Sequence, residues 1–345
     1  MTVCCFVASD SYSGAERSAG SLASDAVDAI AVEGLTKRYG EVQALDGVSF
    51  RVREGEVFGL LGPNGAGKST TTRILVTLTT ADAGHAEVAG HDVARDPRRV
   101  RRSIGYVPQA SGVDPEGTGR ENLTLQGRVQ GLRGEPLRAR VDELLELFSL
   151  MDAADRVVRG YSGGMKRRLD VALGLVHRPS VLFLDEPTTG LDPEARAAMW
   201  GELERLAERE RLTILLTTHY LEEADRLADR LVIVSRGRIV AGGTPEELKR
   251  GLEGDAVHVE LDDGRGDAAL EIVRELDEVH EAQLDGRDLR ARVDNGGRSV
   301  PGILSALDAR GIAVASVTLS RPSLDDVYLH HTGRDFGSDD AEGGP

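Results

Sequence analysis

Gly62-Pro63-Asn64-Gly65-Ala66-Gly67-Lys68-Ser69 follows the run Val57-Phe58-Gly59-Leu60-Leu61 and precedes Thr70-Thr71-Thr72-Arg73-Ile74-Leu75. The run before it reads as a buried strand, and a helix is expected to open at Lys68 or Ser69 and reach about Leu78. Glycines at 62, 65 and 67 let successive backbone N–H groups converge on an anion, and the helix adds the positive end of its dipole. Lys68 can reach the terminal phosphates of a nucleotide and Ser69 can ligate a divalent cation. This is P-loop spacing in its strand–loop–helix setting, with Gly62, Pro63, Asn64, Gly65, Ala66, Gly67, Lys68, Ser69 and Thr70 as candidate nucleotide ligands. Only four of the 42 basic residues are lysines (Lys37, Lys68, Lys166 and Lys249), so a lysine at this place is not default usage.

A second run, Val181-Leu182-Phe183-Leu184, ends in Asp185-Glu186. A strand apolar on both faces belongs inside a parallel sheet, and its carboxyl end is where such sheets bind ligands. Asp185 is therefore a candidate Mg²⁺ ligand, and Glu186 a candidate base for polarising attacking water.

Between and beyond these runs, short strands (104–107, 213–217 and 231–234) alternate with helices (137–147, 194–208 and 221–228), which indicates a parallel α/β core. Ahead of them, Ala31 to Leu35 and Val48 to Val52 read as strands. After Gly251 the order becomes strand 256–261, helix 268–276, a hairpin over 279–293 turning at Asp285-Gly286, helix 301–309 and strand 312–319. That βαββαβ order matches a small α+β ferredoxin-like sandwich. The expected organisation is a disordered leader (1–28), a nucleotide-binding domain (29–250), a C-terminal domain (255–330) and an acidic disordered tail (331–345).

The chain has 345 residues, 40% hydrophobic and 29% charged, which suits a globular protein of more than one domain and excludes wholesale disorder. Residues 251–345 hold 21 of the 58 acidic side chains and only 9 of the 42 basic ones, so most of the net charge of −16 belongs to the C-terminal quarter. Such a balance argues against a general binder of nucleic-acid backbones. No ten consecutive residues are purely apolar, whereas a spanning helix needs about 18 or more. Met1 to Ala8 lacks the pattern of a signal peptide, and the adjacent Cys4 and Cys5 suggest neither a disulfide framework nor a metal site.

Tyr161-Ser162-Gly163-Gly164-Met165, just ahead of the 181–186 run, resembles the signature of ATP-binding cassette (ABC) ATPases. The other cassette elements stand in that family's order: Tyr39 before the P-loop, Gln109 after Ile104-Gly105-Tyr106-Val107-Pro108, Gly190-Leu191-Asp192 after Glu186, and His219 after the strand 213–217. The resemblance implies a P-loop NTPase cassette with a RecA-like core plus antiparallel β and helical subdomains, hydrolysing ATP with Mg²⁺. By it, Tyr39 would stack on adenine, Gln109 would reach the Mg²⁺, the attacking water and the transport domains, and His219 would contact the γ-phosphate. Ser162, Gly163 and Gly164 would bind ATP held by the opposite subunit of a homodimer, and Asp192 would communicate across it. Tyr161 and Met165 replace the Leu and Gln of many members. The segment Tyr161 to Asp170, with Arg321 to Leu329 and Thr332-Gly333, is similar to the drug-exporter subfamily typified by daunorubicin-resistance ATPases. The implied role is the motor of an exporter of hydrophobic drugs, antibiotics or lipid-like compounds. It would sit peripherally on the cytoplasmic face of the membrane, beside a separate integral-membrane permease and without a nucleic-acid partner.

Two other readings share the P-loop. A soluble cassette acting on ribosomes or DNA has its best support in the arginines at 95, 98, 99, 101 and 102, although such a run is most often a solvated helix face. An importer motor would carry the same cassette residues, and only the C-terminal resemblance favours export.

Overall fold

The computed structural model describes residues 28–210, 212–252, 254–262, 265–320 and 322–333. The expected leader lies outside the described residues except for Asp28, as do Arg321 and residues 334–345 of the expected tail. Strand β1 (Asp28–Tyr39) begins three residues before the expected strand, and its antiparallel partner β2 (Val42–Arg53) is longer than expected as well. After β3 (Val57–Leu61) and α1 (Lys68–Leu75), strands β4 (Ala83–Val88) and β5 (His91–Asp92) complete the first sheet, in the order β2-β1-β4-β5. Helix α1 stops before Leu78, which is exposed, because Thr77 takes a left-handed conformation (φ 63°) that ends the helix.

The central sheet combines β3 with β6 (Ile104–Val107), β7 (Val181–Asp185), β8 (Thr213–Thr218), β9 (Arg230–Ser235) and β10 (Arg238–Gly243), in the order β10-β9-β3-β8-β7-β6. Every neighbouring pair is parallel except β9 with β10. The pleat divides β7 between two cores: Val181 and Phe183 pack against the antiparallel sheet and α1, while Leu182 and Leu184 pack against the helices on the other face. Those helices include α3 (Gly119–Val129), α4 (Gly134–Leu147), α5 (Gly163–Leu175) and α6 (Pro193–Glu210). The stripe Leu137, Val141, Leu144, Leu145 and Phe148 is buried throughout. Helix α2 (Pro97–Ser103) buries Val100 and leaves its arginines exposed. Helix α7 (Leu221–Leu227) precedes β9, and α8 (Pro245–Arg250), started by a Thr244–Glu247 capping box, follows β10.

The C-terminal module forms a separate sheet from β11 (Asp255–Leu261), β12 (Val279–Asp285), β13 (Asp288–Val293) and β14 (Val314–Ser320), in the order β12-β13-β11-β14 and antiparallel throughout. With α9 (Gly266–Arg274) and α10 (Gly296–Ala309) this is the expected ferredoxin-like βαββαβ arrangement. The hairpin turn falls at Gly286-Arg287, one residue later than expected. Helix α10 starts five residues early, capped by Asn295, and keeps Pro301 inside.

Helix α11 (Leu324–Thr332) runs into the span expected as tail and returns to the cassette. Its Leu324, Val327 and Tyr328 share a core with Leu61, Ala224, Ala228, Leu231, Ile233 and Leu252. Leu329, outside that core, is buried beside Arg290 and Arg292 of the C-terminal sheet. Tyr328 is fully buried. Tyr328→Ala should therefore cost about 3 kcal/mol, the usual penalty for deleting a buried aromatic ring. Urea unfolding checks this, and a change below about 1 kcal/mol would contradict the packing.

Candidate functional site

Three adjacent parallel strands end together. Register sets Leu61 of β3 beside Thr218 of β8, and Thr217 of β8 beside Asp185 of β7. The P-loop, His219 and Glu186 therefore leave the sheet at one edge. The chain turns at Gly62, where a Cβ would meet the Val234 carbonyl oxygen at 2.3 Å. Gly67 caps α1 at φ 112°, and a Cβ there would come within 2.7 Å of the Ala44 carbonyl oxygen. No side chain caps this helix, which leaves its first N–H groups directed at the loop.

Lys68 Nζ is buried within the loop, donating to the carbonyls of Gly62 (2.6 Å) and Pro63 (3.0 Å), and lies 3.7 Å from Glu186 Oε1. Ser69 Oγ donates to Asp185 Oδ1 at 3.3 Å, and Thr217 Oγ1 donates to the same oxygen at 2.6 Å. A hydroxyl beside a carboxylate is a hard oxygen pair that fits Mg²⁺. Glu186 Oε2 accepts from Gln109 Nε2 (2.9 Å) and Thr189 Oγ1 (3.1 Å), and His219 Nδ1 lies 3.3 Å from Oε1. Burial pushes the Glu186 carboxyl up, but contact with His219 and the charge of Lys68 outweigh it, so the group stays below its ordinary pKa and ionised at neutral pH. Its backbone is left-handed (φ 48°), a conformation that costs a non-glycine residue about 1–3 kcal/mol and tends to mark functional positions.

The sheet edge thus gathers Lys68, Ser69, Gln109, Asp185, Glu186 and His219. The signature residues form a second group: Ser162 caps α5, accepting from Met165 N at 3.3 Å, while Gly163 and Gly164 approach Leu191 and Ala195. Asp192 accepts from Ala195 N (2.8 Å) at the start of α6. Tyr39 stands apart at the end of β1, 47% exposed, with Lys37 Nζ 5.4 Å from its ring centre. The two unusual signature residues have local partners. Tyr161 is buried and donates to the Ala153 carbonyl (2.6 Å), and Met165 Sδ accepts from Arg156 at 3.5 Å.

Sequence reasoning missed three residues. Thr217 braces Asp185; as one of many strand threonines it carries no signal of its own. Arg167 buries its guanidinium among backbone carbonyls of the site. Glu223 of α7 is fully buried and accepts from Thr188 Oγ1 (2.8 Å) and Trp200 Nε1 (3.0 Å), tying the segment after Glu186 to the helix after His219. Beyond Gln109, an open cleft of about 350 Å³ is lined by Leu78, Tyr106, Pro108, Gln126, Asp170 and His177.

The sequence profile of the ABC transporter family matches residues 45–189, and that of the ATP-binding protein DrrA1-3-like C-terminal domain matches residues 243–332. The daunorubicin resistance ATP-binding protein DrrA3 of Streptomyces coeruleorubidus is 49% identical over 307 residues, covering 89% of this chain and 96% of that protein. The daunorubicin/doxorubicin resistance ATP-binding protein DrrA of Streptomyces peucetius is 44% identical, covering 88% and 92%. Among solved structures, a dimeric post-hydrolysis ATP-binding cassette with ADP and Pi superposes with a TM-score of 0.57 at 26% identity, covering 62% of this chain and 98% of that one.

Burial raises the Glu223 pKa against the opposing hydrogen bonds of Thr218, Thr188 and Trp200. A carboxyl raised on folding binds its proton more tightly in the native state, so its contribution to stability is lost as pH rises through the folded value. Glu223→Gln keeps an acceptor and removes the titration. Its melting temperature should therefore gain on the wild type between pH 5 and pH 8; a difference that does not change with pH would contradict the raised pKa.

Proposed function

Because this chain belongs to the daunorubicin-resistance group of ABC transporter ATP-binding proteins, and so hydrolyses ATP for transport, we propose that it is the peripheral motor of a drug exporter on the cytoplasmic face of the membrane. Residues 29–250 are the motor and 255–330 a distinct C-terminal domain. Two copies pair so that ATP in one P-loop meets Ser162, Gly163 and Gly164 of the other, with Asp192 at the junction. Support comes from the dimeric cassette of the same fold.

The observation that carries the reading is the cluster at the sheet edge, where one cation, two carboxylates, an amide and an imidazole converge behind the phosphate cradle. The backbone N–H groups of residues 62–69 and Lys68 hold the phosphates, and Tyr39 stacks on the base. Ser69, Asp185 and Gln109 hold Mg²⁺, which neutralises phosphate charge when bound. Glu186, kept ionised, takes the proton of the attacking water, while Gln109 orients the carboxylate and His219 reaches the γ-phosphate side. No described helix is long and apolar enough to cross a membrane, which supports a separate permease. The cleft beside Gln109 gives that permease a place to engage the site. The exported compound is a hydrophobic drug, antibiotic or lipid-like molecule; the relatives' names speak of daunorubicin and doxorubicin resistance.

Glu186→Gln should bind ATP like the wild type and lower turnover by roughly 10² or more. Retained turnover would show that another group is the base. In the same assay, the rate per subunit should fall on dilution as dimers dissociate, whereas an enforced monomer of full activity would contradict the shared site.

A further inference from the structure

Arg167 lies on α5, five residues after Ser162, and is buried; among the described residues no carboxylate pairs with its guanidinium. Nε donates to the Pro187 carbonyl (2.7 Å), Nη1 to that of Pro108 (2.6 Å), and Nη2 to those of Asp185 (3.0 Å) and Glu186 (3.2 Å). These four carbonyls come from two segments distant in sequence, one leading into Gln109 and the other running through Glu186. Only a planar fork with five donors can span them; a lysine ammonium cannot. Burial lowers the pKa of Arg167, while Asp170, Asp185 and Glu223 raise it.

The left-handed backbone of Glu186 has to be held by its surroundings. Its N–H donates to the Thr217 carbonyl at 3.1 Å, and its carbonyl accepts from Thr189 N (3.3 Å) and Arg167. We propose that Arg167 is a positioning residue for hydrolysis: it fixes the Glu186 peptide and the approach to Gln109 to the helix that begins at the signature, so that carboxylate and amide stay in register. The neighbouring Arg168 does something different, pairing with Glu202 at 2.8 Å away from the site. The proposal rests on Glu186 being the base.

ATPase kinetics and nucleotide binding of the full chain test this with Arg167→Lys, Arg167→Gln, Arg168→Gln and Glu186→Gln, binding being measured on the same preparations so that only folded protein is compared. Both Arg167 variants should lose about tenfold or more in kcat, with KM and nucleotide affinity within about threefold of wild type, the pattern of an interaction used in the transition state. Arg168→Gln should keep wild-type kcat. Wild-type kcat in Arg167→Lys, with Glu186→Gln inactive, overturns the proposal alone. So does a parallel loss of binding, turnover and melting temperature in both Arg167 variants, which would make the residue a structural cation. Full turnover in Glu186→Gln removes the base and this proposal together.

Discussion

The parallel register of β3, β8 and β7 is the constraint on which the site depends. With Leu61 beside Thr218 and Thr217 beside Asp185, the middle strand carries Thr217 and Thr218 between the glycine-rich loop after β3 and the strand that ends in carboxylates. A one-residue slip would turn the buried pleat of each strand toward the wrong core and move Thr217 from Asp185. The two cores, one on each face, therefore fix chemistry as well as stability: alternating residues of β7 are committed to both, and the last residue in the run is delivered to the edge.

Two buried glutamates show how that edge sorts charge. Glu186 and Glu223 both lose water on folding, yet their proton affinities move in opposite directions. Glu186 has a lysine and an imidazole at hand, whereas the hydrogen bonds of Glu223 come from neutral hydroxyl and indole groups. Environment alone thus divides two identical side chains into a carboxylate suited to proton abstraction and a bracing group.

Much of this was legible in the residues. An apolar run before Gly62 and another before Asp185 identify strands of a parallel sheet, and their carboxyl ends identify the functional edge. The βαββαβ order after Gly251 likewise carries its sheet topology. Legibility ends where a role depends on what folding brings nearby. Arg167 stands among three consecutive basic residues, and nothing in that run tells which one turns inward to backbone carbonyls. Glu223 follows another glutamate on a helix with the look of a solvated face, but folding buries it where Trp200 Nε1 donates to it. Strand and helix ends moved by a few residues for local reasons, Thr77 stopping α1 and Asn295 starting α10 early.

The return of α11 to the cassette bears on how the chain is made. Leu61, immediately before the glycine-rich loop, shares its packing with Tyr328, more than 260 positions later. Synthesis proceeds from the N-terminus, and domains generally fold as they emerge. The wall behind the glycine-rich loop is thus closed only when α11 leaves the ribosome, so a product truncated before α11 would carry the whole sheet edge and still present an open apolar face.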